Sequence, residues 1–117
     1  MPNESDYVPG PVQGFAMKVG GCEFVAWLPM RKAGGFDLCL DREASELECL
    51  RTDQITWLRQ QAAGDNVVLV SRLEGAALDK SVKLAAQQRL GQWLQQQFGL
   101  SWTADIRATW TELESFH

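Results

Sequence analysis

Histidine is almost missing from this chain of 117 residues: its one imidazole is the terminal His117. Without another, no Ser-His-Asp triad, Cys-His pair or histidine-ligated metal centre can be assembled from the body of the chain. The glycines follow neither G-x-G-x-x-G nor G-x-x-x-x-G-K-[ST], so no phosphate-cradling loop is written in the sequence. No apolar run approaches the roughly 18 residues a membrane-spanning helix needs. The opening "MPNESDYVPGPVQG" has neither a basic start nor an apolar stretch, so no secretory signal is expected there.

Cysteine is sparse and odd in number: Cys22, Cys39 and Cys49. Their spacing fits neither a disulfide framework nor a zinc pattern, and there is no C-x-x-C. The expectation is three free thiols in a reducing, cytoplasmic setting, with no metal and no cofactor. Charge is mild as well. Fifteen acidic against eleven basic residues leave a net charge of −4. That argues against a nucleic-acid partner, which needs a cationic surface. It is also too weak for a DNA mimic. Aromatics do not interleave with cations as in single-strand binders, because Trp102 and Trp110 do not share a strand face with Arg107.

What is present is an ordinary globular composition, 45% hydrophobic and 22% charged, enough for one domain with a real core. Three of the four prolines (Pro2, Pro9, Pro11) fall in the first eleven residues. Residues 1–12 therefore read as a flexible arm and 13–117 as a single domain. A β-hairpin is predicted over Gln13 to Met30, turned at Gly20-Gly21, with Val19 opposite Cys22, Met17 opposite Phe24 and Gly14 opposite Trp27. "FDLCLD" alternates as a strand, and "LECL" reads as a short returning strand. Thr52 or Asp53 starts a short helix ending near Ala63, and "VVLV" (Val67 to Val70) reads as a strand covered on both faces.

A long helix is predicted from about Ala76 to Phe98, with Leu78, Val82, Ala86, Leu90, Trp93, Leu94 and Phe98 on its buried stripe and Gly99 as its stop. "LSWTADIRATW", residues 100–110, alternates without a miss and reads as the last strand. Overlapping capping boxes at Thr109 and Thr111 compete for its end and leave Trp110 in a strand or a helical turn. The fold class is α+β. A mainly antiparallel sheet of about five to six strands, β-β-β-β-α-β-α-β, carries two helices on one face. The last strand adds either parallel to Val67–Val70 or antiparallel at an edge.

Five tryptophans stand in this chain, and tryptophan is the residue most enriched at binding hot spots. Trp93 and Trp102 fall on core faces. Trp27 and Trp57 lie off the apolar stripes of their elements, and Trp110 sits where strand and cap compete. The basic pair Arg31 and Lys32 precedes the flexible "AGG". Candidate partner-binding residues are therefore Trp27, Trp57, Trp110, Arg31 and Lys32. Carboxylate pairs such as Asp37 with Asp41, or Glu46 with Glu48, read as the polar side of a sheet rather than as acid/base machinery.

These features point to a small cytoplasmic, non-enzymatic protein-binding module: an adaptor, a client-specific chaperone or an inhibitor of another protein. Bacterial secretion chaperones are similar in size, mild acidity and sheet-plus-helix plan, but they open with a helix where this chain opens with prolines. The alternative is a small-molecule binder or carboxylate-dependent enzyme. Its pocket would lie between Val25, Trp27 and Cys39 and the Arg31–Gly35 loop. A homodimer through edge-strand pairing is compatible with either reading.

Overall fold

In the computed structural model, which describes residues 4–62 and 64–116, one antiparallel sheet carries two α-helices on a single face. The strands are β1 (Gly10–Val19), β2 (Cys22–Trp27), β3 (Phe36–Asp41), β4 (Val67–Leu73) and β5 (Ala108–Phe116). The helices are α1 (Thr52–Gln61) and α2 (Lys80–Phe98). The sheet order is β4-β3-β2-β1-β5, so the meander runs outward from β1 and the last strand adds to its free side.

The hairpin register is the expected one, with Val19 opposite Cys22, Met17 opposite Phe24 and Gly14 opposite Trp27. Its turn places both Gly20 (φ 61°) and Gly21 (φ 84°) in the left-handed region, as a primed two-residue turn demands. Alternation then sorts the strands. Phe15, Met17, Phe24, Ala26, Leu38 and Leu40 face the helices and are fully buried or nearly so. Opposite them, α2 buries Val82, Ala86, Leu90, Leu94 and Phe98, and α1 buries Leu58. Asp79 caps α2 by accepting from the Val82 N–H at 2.9 Å, and Gly99 (φ 67°) ends it.

Beyond "VVLV", which lies at the sheet edge with Leu69 half-exposed rather than covered on both faces, four expectations need correction. "LECL" is not a strand: Leu47–Cys49 is a single 3-10 turn, so the sheet has five strands, within the five to six expected. The reason lies in the neighbouring strand. β2 pairs with β3 only through Val25, Ala26 and Trp27. The start of that edge is met by the Ser45–Glu46 segment instead: Val25 N–H donates to Ser45 Oγ at 3.1 Å, Glu23 N–H to Glu46 Oε2 at 3.2 Å, and Glu46 N–H to the Glu23 carbonyl at 2.8 Å.

Second, the cysteines are not three free thiols. Cys22 and Cys49 form a disulfide with their Cα atoms 6.2 Å apart, and Cys39 alone is free. Third, the regular alternation over 100–110 is mostly not a strand. Residues 100–107 are irregular and the strand begins at Ala108. Gly99 turns the chain back along α2, where Leu100, Trp102 and Ile106 pack onto the core from one side. One-sided packing gives a coil the same alternation as a strand. Trp110 is therefore in a strand, and that strand runs antiparallel to β1 at the sheet edge, with Phe15 opposite Trp110.

Fourth, the arm is docked from Tyr7 onward. Tyr7 is buried and bridges Arg31, and Val8 N–H donates to the Met30 carbonyl at 2.8 Å. Residues 1–3, Ala63 and His117 lie outside the described residues, and so does whatever was expected of them.

Candidate binding cleft on the open sheet face

Among the described residues no further layer of helices or strands covers the sheet face away from the helices, yet that face is partly apolar. Tyr7, Val12, Trp27, Cys39 and Val67 form a second buried cluster there. Strand alternation puts Asp37, Cys39 and Asp41 on this side of β3. Pairing with β4 sets Arg72 opposite Asp37, Leu69 opposite Cys39 and Val67 opposite Asp41. A register shift after Leu38 leaves Val70 as an extra residue, which keeps both Leu69 and Arg72 on the open face. The Arg31–Gly35 loop closes on itself through Arg31 N–H to the Gly35 carbonyl, 2.9 Å, and takes the incoming chain through Lys32 N–H to the Asp6 carbonyl, 3.0 Å.

These elements enclose a half-open cleft of about 670 Å³, walled by Tyr7, Arg31, Lys32, Cys39, Leu69 and Arg72 around Asp37. Asp37 is its electrostatic centre. It is only 5% exposed. Its Oδ2 accepts the Tyr7 hydroxyl at 2.7 Å. Its Oδ1 faces Arg31 Nε at 3.7 Å and Arg72 Nε at 3.5 Å. Both separations are ion-pair contacts too long for hydrogen bonds, and Oδ1 has no hydrogen-bond partner among the described residues. A buried carboxylate is tolerable only with such compensation.

Burial pushes the Cys39 thiol up to about 12, and the nearby Asp37 charge adds to the effect. Burial, then the hydrogen bond to Asp37, raises the Tyr7 phenol further still. Both groups are protonated at neutral pH, so the cleft presents a thiol rather than a thiolate.

A pH dependence follows. The unfolded chain ionises its thiol and phenol first, so it holds fewer protons than the folded one above about pH 9. Stability falls as pH rises from there, by up to about 1.4 kcal/mol per pH unit for each group. Denaturant midpoints at pH 8 and pH 10.5 will show the loss, and Cys39→Ala will reduce it. In the folded protein at pH 8, iodoacetamide should leave Cys39 unmodified. Alkylation at the rate of an open thiol would contradict its burial.

The residues singled out from sequence do not converge. Arg31 and Lys32 do stand at the cleft. Trp27 lies beside it but is turned inward, 7% exposed, with its indole N–H donating to Asp41 Oδ2 at 2.8 Å. The exposure expected of Trp27 is thus corrected. Off-stripe on one face, it is covered by a second cluster on that same face.

Trp57 is half-buried at the seam of the helices, its ring 6.1 Å from Trp93 and 5.9 Å from Phe98. Trp110 is on the helix side of the sheet, 4.6 Å from Phe15, with the Lys83 ammonium 5.2 Å from its ring centroid. Tyr7, Leu69 and Arg72 are not among the residues the sequence singles out, and Asp37 reads there only as the polar side of a sheet. Asp37 did carry a signal: a carboxylate within the otherwise apolar "FDLCL" of an inner strand requires partners.

Among the described residues no helix is long and apolar enough to cross a membrane, and no cluster of ligating side chains could hold a metal. No family model, no curated protein and no solved structure matches the chain.

Proposed function

We propose that the protein is a non-enzymatic binding module that holds an extended segment of a partner protein on the open face of its sheet. One observation carries this reading. The cleft around Asp37 opens beside Leu69, which is 50% exposed on the edge strand β4. An exposed leucine flanked by Arg31, Lys32 and Arg72 has the make-up of an interface: an apolar contact with a charged rim. The unpaired outer edge of β4 offers backbone groups to a strand laid against it.

The cleft volume lies within the usual range of small-molecule sites, about 300–1,000 Å³. Such sites, however, enclose most of their ligand, and this one is open along a side. The protonated Cys39 and Tyr7 suit binding better than nucleophilic or basic catalysis. A cytoplasmic location loses the support it drew from three free thiols, because a structural disulfide is characteristic of oxidising compartments.

Capture from the native cell tests the reading. A protein should be retained by the wild type and by Gln88→Glu, a change on the exposed side of α2, and lost with Leu69→Glu. Retention by Leu69→Glu would refute the proposed face. A tightly held metabolite with no protein would refute the module itself.

A further inference from the structure

We infer that Arg31 and Arg72 together form a receptor for one carboxylate, which the bound segment carries as an aspartate or glutamate side chain. The inference rests on the open face being the binding face and names what that face selects. Both guanidiniums approach Asp37 Oδ1 through Nε, at 3.7 and 3.5 Å, and neither makes a shorter bond to it. Among the described residues no hydrogen bond involves the terminal nitrogens of either arginine. Charge therefore gathers the two side chains over a buried carboxylate while their outer edges keep their full donor capacity. Those edges are the part of a guanidinium that matches a carboxylate in a two-pronged bond.

The side chains are 30% and 61% exposed, so a ligand reaches them without opening the fold. Two cations over one carboxylate leave a single positive charge. That balance suits a monoanion better than a phosphate dianion. Lys32 at the rim adds attraction, while the exposed Asp6 and Asp65 at the same cleft oppose a run of negative charge. An isolated acidic side chain fits; a nucleic-acid backbone does not.

The probe is N-acetyl-aspartate amide, titrated into the isotope-labelled full chain, with N-acetyl-asparagine amide as the uncharged control. The Nε–H signals of Arg31 and Arg72 should shift saturably, with Kd on the order of 10 mM or tighter. The control should leave them still. Arg72→Gln should weaken binding at least fivefold with the backbone spectrum otherwise preserved, while Arg59→Gln on α1 leaves it unchanged.

Arginine signals that do not move, or an Arg72→Gln protein that binds as well as the wild type, would overturn the inference. So would inorganic phosphate binding more tightly than the aspartate probe. If a protein partner is lost with Leu69→Glu but the probe does not bind, this inference fails and the module stands. Probe binding without any protein partner gives the reverse.

Discussion

Reducing the Cys22–Cys49 bond should lower the unfolding free energy by about 3.5 kcal/mol, the chain-entropy value for a loop of this length. The two cysteines are 27 residues apart. The loop they close contains most of β2, the Arg31–Gly35 turn and all of β3. In the reduced unfolded chain those residues regain the freedom that the bond removes. The folded state should lose little, because Cys22 is packed in the core at 1% exposure and its burial does not depend on solvent-exposed partners.

Urea midpoints with and without reductant measure the effect. Cys49→Ser should reproduce the reduced value, since position 49 is exposed and a hydroxyl there is solvated. In denaturant, the titratable thiols should rise from one, Cys39, to three on reduction. An unmoved midpoint with the bond verifiably broken would show that the loop is already constrained in the unfolded chain. The bond lies on the helix side of the sheet, so the reduced protein should keep its cleft as long as it stays folded.

The same contrast between local and distant constraints explains what could be read beforehand. The first hairpin was legible because Gly20-Gly21 fixes the register of every pair above it. The long helix was legible because its buried stripe repeats at helical spacing and Gly99 ends it; only its start moved, from about Ala76 to Lys80, where Asp79 caps it. The coil at 100–107 was not legible. Alternation reports which side of a segment is buried, not whether a neighbouring strand is there to receive its hydrogen bonds. The disulfide depends on the 3-10 turn at Leu47–Cys49 falling beside the start of β2, a meeting no spacing rule contains.

The candidate cleft was half legible for the same reason. Arg31 and Lys32 stood out as a basic pair beside two glycines. Asp37, Arg72 and Tyr7 meet only through the β3–β4 register across α1 and the return of the amino-terminal segment over the sheet. The tryptophans mislead because a position off one apolar stripe is not the same as exposure. In a two-layer domain with an uncovered sheet face, each large ring off one stripe found another surface to cover.

Gly91→Ala should destabilise the protein, against the usual sign for a glycine in the middle of a helix. Helix propensity alone favours alanine by about 1 kcal/mol. Gly91 is buried in α2, however, and a Cβ built there would lie inside the Trp102 indole. A fused ring cannot pivot aside like the end of a lysine, so the whole side chain must lift. Overpacking of this kind costs about 1–3 kcal/mol, and the lifted indole loses burial as well. The net expectation is a loss of about 1–2 kcal/mol with a red shift in tryptophan emission.

A double-mutant cycle decides whether the contact is the cause. In a Trp102→Ala background the obstruction is gone, and Gly91→Ala should then be neutral or stabilising by up to about 1 kcal/mol. The coupling between the two sites would be roughly 2 kcal/mol. A Gly91→Ala protein more stable than the wild type would mean that Trp102 does not rest on α2. That contact also bears on the sheet. By holding the irregular chain flat across α2, Trp102 delivers Ala108 to the free edge of β1, where β5 pairs. Loosening the indole should therefore speed amide exchange in β5 before it affects the β2–β3 ladder, a difference visible residue by residue.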